Sequence, residues 1–108
     1  MLDLATIRRD SEVEAIMEMS EKQIEALGFT EHSRRHAGIV SKWSGEILRA
    51  LGKSEDRIRL AEIAGYLHDI GNCINRKDHA QSGAILSYKI LTRLGMSAPD
   101  AAEIMMAI

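Results

Sequence analysis

The sequence predicts an all-α fold, a compact bundle of about five helices, on three observations. Strong helix formers (Ala, Leu, Ile, Met, Glu, Lys and Arg) fill most of the chain, while one Pro and four aromatics leave little material for strands. Apolar residues recur at spacings of three and four, and Gly or a small polar residue punctuates each run. The 108 residues suffice for one modest core, so residues 1–108 are read as a single domain.

Asp10 or Ser11 can cap a first long helix running to Leu27, with Val13, Ile16, Met17, Ile24 and Leu27 along one side and Gly28 as its stop. A weaker helical turn precedes it. Thr30 can cap a second helix, whose apolar positions Ile39, Val40, Trp43, Ile47, Leu48 and Leu51 are expected to face the core until Gly52 ends it. Trp43 is expected to anchor that face. Ser54, followed by acidic Glu55 and Asp56, opens a third helix lined by Ile58, Ala61, Ala64 and Leu67. It should end near Asp69, because Gly71-Asn72 turns the chain. Asp78 is expected to cap a fourth helix, His79 to Leu94, closed by Gly95, and Ser97, Pro99 and Asp100 start a fifth.

The fifth helix carries Ile104, Met105 and Ile108 without a terminating Gly or a basic last turn. A face so apolar is expected to be covered, by further C-terminal helices or by self-association through this helix.

Fourteen Lys and Arg stand against sixteen Asp and Glu, a net charge of −2 with His neutral. This balance argues against a surface that tracks a nucleic-acid backbone. Cys73 is the only cysteine, so no intrachain disulfide forms, and a reducing cytoplasmic setting is expected. No apolar run approaches membrane-span length.

Three of the four histidines sit where helices are expected to begin or end. His32 follows Thr30, His68 and Asp69 precede Gly71, and His79 follows Asp78. Neighbours within a helix point about 100° apart, but at a frayed end both His68 and Asp69 can reach one ion. Imidazole and carboxylate donors suit a hydrolytic Lewis-acid site better than a structural zinc site built on thiolates. His36 lies four residues after His32, the spacing of a two-histidine zinc grip. A zinc protease would need a glutamate directly after the first histidine, and Ser33 stands there. His36 is therefore read as lining the pocket and contacting substrate.

These residues fall in motifs that resemble the HD family of helical, metal-dependent phosphohydrolases. Glu31-His32-Ser33-Arg34-Arg35 is similar to the family's first motif, and Tyr66-Leu67-His68-Asp69-Ile70-Gly71 to its namesake motif. Asp78-His79-Ala80-Gln81-Ser82-Gly83 resembles the later histidine of branches that hold two metals. The resemblance implies His32, His68, Asp69 and His79 as ligands for one or two divalent ions (manganese, iron, nickel, magnesium or zinc), with Asp69 also orienting the attacking water. It implies hydrolysis of a phosphate ester or phosphoanhydride of a small molecule, a nucleotide being favoured, and Arg35, Arg76, Lys77 and His36 are candidates for holding that substrate. Three departures are visible: the family's last aspartate has no counterpart before Ile108, Asn72 stands where many relatives carry lysine, and His36 occupies a position that is usually a small apolar residue. They leave open a non-catalytic sensing domain, and behind it a metal-free structural one.

Overall fold

The computed structural model describes residues 2–29 and 33–108. They form six α-helices and one short 3-10 turn. The helices are α1 (Leu4–Arg9), α2 (Ser11–Ala26), α3 (Ser33–Ala50), α4 (Glu55–Leu67), α5 (His79–Arg93) and α6 (Ala98–Ala107), with the 3-10 turn (Ile70–Cys73) between α4 and α5. The expected weak turn is α1, capped by Asp3. The five longer helices lie within a residue or two of their expected ends wherever those ends are described.

Local chemistry fixes most of the boundaries. The Asp10 carboxylate accepts the Val13 amide at 3.1 Å and the Arg93 guanidinium at 2.7 Å, tying the start of α2 to the end of α5. Ser54 accepts the Arg57 amide and Ser97 the Asp100 amide. Gly28, Gly52 and Gly95 follow helices with φ of +89°, +71° and +98°, a conformation that L side chains resist. Asp78 departs from expectation. It is itself left-handed at φ +58° and its carboxylate caps nothing; the His79 amide instead meets the Arg76 carbonyl. The expected cap residue Thr30 lies outside the described residues.

α4 is the central helix, burying Ile58, Leu60, Ile63, Tyr66 and Leu67 among residues of α1, α2, α5 and α6 such as Ile7, Val13, Leu91 and Ile104. α3 packs on it with a face turned from the one expected, keeping Val40 and Leu48 half-buried at its edge. Ala37, Ser41 and Gly45 point inward, whereas Ile39, Trp43, Ile47 and Leu51 are 47%, 61%, 58% and 65% exposed. The reason is backbone proximity. A Cβ on Gly65 would lie 2.9 Å from the Ser41 Cα, a Cβ on Gly45 2.8 Å from the Glu62 side chain, and the Ser41 hydroxyl donates to the Glu62 carbonyl at 2.7 Å. At that separation only small residues fit between the helices, so the bulky stripe two positions along turns outward.

A second close approach seats the 3-10 turn on α5. A Cβ on Gly71 would collide with the His79 carbonyl oxygen and lie 2.6 Å from the Gly83 nitrogen; a Cβ on Gly83 would lie 3.1 Å from the Gly71 nitrogen. Two glycines, one two residues after Asp69 and one four after His79, thus let two stretches of backbone touch. Gly71→Ala should force α5 away from the turn, lowering stability by about 1–3 kcal/mol in thermal or urea unfolding. A melting curve matching that of the unsubstituted protein would show that this contact is not tight.

Candidate metal centre

The two backbone contacts bring three histidines onto one carboxylate. α4 ends at His68, and Asp69 takes φ −104° and ψ 8°, in the sparsely populated bridge region, before the 3-10 turn begins. This change of helical pitch lets neighbouring side chains face each other, with His68 Nε2 3.1 Å from Asp69 Oδ2. His36, fourth residue of α3, is carried to the end of α4 by the close α3–α4 packing, and its Nε2 lies 3.2 Å from the same oxygen. His79, first residue of α5, places Nε2 3.1 Å from the other oxygen, Oδ1. All four side chains are about one-third exposed, so the cluster opens to solvent.

Hydrogen bonds fix which ring nitrogen faces the carboxylate as a donor atom. His68 Nδ1 is 2.7 Å from the Gly65 carbonyl and His79 Nδ1 is 2.8 Å from the Arg76 carbonyl. A carbonyl only accepts, so each Nδ1 carries hydrogen, and in the neutral ring Nε2 carries the lone pair. Two lone pairs about 3 Å from a carboxylate repel it. The arrangement is favourable only if a proton sits on each Nε2 or a cation sits among the donors.

The spacing fits a cation. Two donors each about 2.1 Å from one ion, and about 95–110° apart around it, are roughly 3.1–3.4 Å from each other. His36 and His68 meet Asp69 Oδ2 at distances in that range, and the donor atoms of these three residues all lie within 4.8 Å of one another. They form a His/His/Asp cluster capable of coordinating a metal ion. Without a metal, protons serve instead: the hydrogen bond to Asp69 raises the His68 pKa above its ordinary value against the opposing effect of burial, and the same bond lowers that of Asp69.

Of the residues singled out in the sequence, His68, Asp69 and His79 meet here, and His32 lies outside the described residues. His36, expected to line the pocket and contact substrate, places its Nε2 beside Asp69 as the α3 member of the cluster. The signal that could have found it is its place one helical turn after His32, on the same face. Arg76 lies with its guanidinium 4.6 Å from the Phe29 ring centroid, while its carbonyl orients His79. Arg35 and Lys77 are exposed neighbours of the cluster in sequence, without a hydrogen bond or ion pair to its described residues. Asn72 is buried in the 3-10 turn, its Oδ1 unpartnered among the described residues, so it offers no open phosphate contact. Cys73 is partly buried, burial pushes its thiol pKa up, and it does not join the cluster.

A family model for the HD domain matches residues 29–107. The uncharacterized protein MJ1020 of Methanocaldococcus jannaschii is 27% identical over 101 residues, covering 80% of this chain and 39% of that protein. The chain therefore spans well under half of the curated relative it matches. No solved structure matches. No described helix is long and apolar enough to cross a membrane.

The proton-held state has a pH signature. His68, with its pKa raised above 6.5, contributes stability that is fully present below pH 6.5 and lost as pH rises through the raised value. Asp69, lowered from 3.8, contributes stability present above pH 3.8 and lost as pH falls through its lowered value. In metal-free protein, NMR titration should place His68 above 6.5 and Asp69→Asn should return it downwards; no change on that substitution would dissolve the pairing.

Proposed function

This chain belongs to the HD domain family, and from that premise we propose that it is a metal-dependent hydrolase of a phosphate ester or phosphoanhydride, acting on a small phosphorylated molecule with nucleotides as the first class to test. The observation that carries the reading is the set of imidazole Nε2 atoms directed at one carboxylate, two of them with tautomers held by backbone carbonyls. Such orientation costs desolvation and finds its use when a cation is held.

In this reading His36, His68 and Asp69 would hold one divalent ion. His79 lies against the other oxygen of Asp69, Oδ1, and would be the residue to help Asp69 hold a second ion. An ion there supplies Lewis acidity, drawing the pKa of a coordinated water towards ~7 and polarising phosphoryl oxygens. The residues themselves fix the geometry: Gly65 and Arg76 carbonyls lock the rings, and Asp69 accepts hydrogen bonds and orients the nucleophile. Arg35, Lys77 and Arg76 are the cations proposed for phosphate oxygens, as point charges or bidentate forks. No described residue stands in for the family's last aspartate, so whether this chain alone turns substrate over is part of the test.

Purified protein supplied with manganese should release phosphate or a nucleoside monophosphate from some member of a nucleotide panel. Removing an outer-shell partner in metal sites costs about 10- to 100-fold, so Asp69→Ala should lower turnover by more than about a hundredfold, and His36→Ala should lower bound metal per chain. Activity that survives Asp69→Ala would place the chemistry elsewhere. Nucleotide binding without any turnover would favour a sensing domain.

A further inference from the structure

Residues 74–78 join the 3-10 turn to α5, and none of their side chains is buried. A loop with so little apolar contact keeps its shape only through discrete bonds. One of its carbonyls nevertheless has an exact task. The Arg76 oxygen faces His79 Nδ1 at 2.8 Å and also accepts the His79 amide at 3.4 Å. The turn that allows both passes through Asp78 at φ +58°, a backbone conformation that a Cβ resists. At the other end of the loop, the Ile74 and Asn75 amides donate to the Gly71 carbonyl at 3.0 and 3.3 Å.

The middle of the loop is gripped from α2. That helix ends in a two-bond cap, in which the Gly28 amide donates to the Glu25 carbonyl at 2.9 Å and the Phe29 amide to the Ile24 carbonyl at 3.1 Å. The cap fixes the backbone of Phe29, and the Arg76 guanidinium lies over its ring, 4.6 Å from the centroid. In the last turn of α2, Gln23 Nε2 donates to the Ile74 carbonyl at 3.3 Å. Two side chains at one end of α2 therefore hold the loop at positions 74 and 76. From there the connection runs through the Arg76 carbonyl to His79 Nδ1, and from His79 Nε2 to Asp69 Oδ1 at 3.1 Å.

We propose that Gln23 and Phe29 are positioning residues for His79, holding the loop so that the Arg76 carbonyl keeps the Nδ1 hydrogen and turns the Nε2 lone pair towards Asp69. Neither residue touches the carboxylate; both act through the loop. Once they are removed, the carbonyl no longer stays in place, and the ring loses the partner that selects its tautomer. His68 is the internal contrast, because its Nδ1 is held by the Gly65 carbonyl inside α4 and owes nothing to the loop. The inference rests on the reading of His79 as the residue that helps Asp69 hold a second ion. Stacking occupies a face of the Arg76 guanidinium and leaves its N–H edge for the phosphate contact proposed above.

The test compares Phe29→Leu, Phe29→Tyr and Gln23→Ala with the unsubstituted protein. Each substitution keeps the two cap bonds, which are made by backbone amides. In metal-free protein in alkaline buffer, where imidazoles are neutral, long-range 1H–15N NMR reads the ratio of the two tautomers at each histidine. We expect Phe29→Leu to move the His79 ratio towards the Nε2–H form by about two- to fivefold, the strength of an exposed cation–π contact. Gln23→Ala should move it by about two- to tenfold, as the loss of one hydrogen bond does. Phe29→Tyr, which keeps an aromatic ring, should restore it, and His68 should not change in any variant. Calorimetric titration with manganese should show the second equivalent weakened by a similar factor and the first unchanged. A His79 ratio unmoved by both Phe29→Leu and Gln23→Ala, or a second equivalent indifferent to them, would overturn the proposal while leaving the metal reading intact. An equal change at His68 and His79 would mark a general loss of structure and overturn it as well. An unsubstituted protein that binds no manganese would remove the metal reading, and the tautomer ratios would still decide whether Gln23 and Phe29 position the ring.

Discussion

The structure turns on one carboxylate. Asp69 faces imidazole nitrogens on both of its oxygens, and each comes from a different place: the start of α3, the end of α4 and the start of α5. Three helix ends can meet at a point only if the backbones between them come unusually close, because each side chain has a fixed reach. Small residues achieve this. Ser41, Gly45 and Gly65 bring α3 onto α4, and Gly71 against Gly83 brings the 3-10 turn onto α5. The motif glycines are therefore spacers for the clustered side chains, and their roles are positional.

Much of the fold was legible because helix ends are chemically local. Asp10, Ser54 and Ser97 cap as their side chains allow, and Gly28, Gly52 and Gly95 adopt the left-handed backbone that ends a helix. Which face of a helix is buried is not local. The stripe Ile39, Trp43, Ile47 and Leu51 looks like a core face by periodicity alone, but α3 approaches α4 too closely for it. Small residues at Ala37, Ser41 and Gly45 recur at the same spacing as the bulky ones, and only the partner helix decides between them. Asp78 failed as a cap for a related reason: a left-handed residue cannot aim its carboxylate at the amides that follow.

The site was legible where a motif specifies both a ligand and the backbone that presents it. His68, Asp69 and His79 each have a glycine at fixed distance, and both imidazoles lie about 3.1 Å from the Asp69 carboxylate. The α3 donor had no such marker. His32 and His36 stand four apart in the sequence, a spacing that gives both the same direction on a helix and does not choose between them as ligands. His36 Nε2 meets Oδ2, and His32 lies outside the described residues.

The central claim is that His36, His68 and Asp69 close around one divalent ion. X-ray diffraction from crystals grown with manganese, recorded on both sides of the manganese absorption edge, tests it most directly. A single anomalous peak within bonding distance of His36 Nε2, His68 Nε2 and Asp69 Oδ2 is the predicted result. Crystals in which the peak is absent there, with the three side chains splayed apart or hydrogen-bonded only to one another, would contradict it.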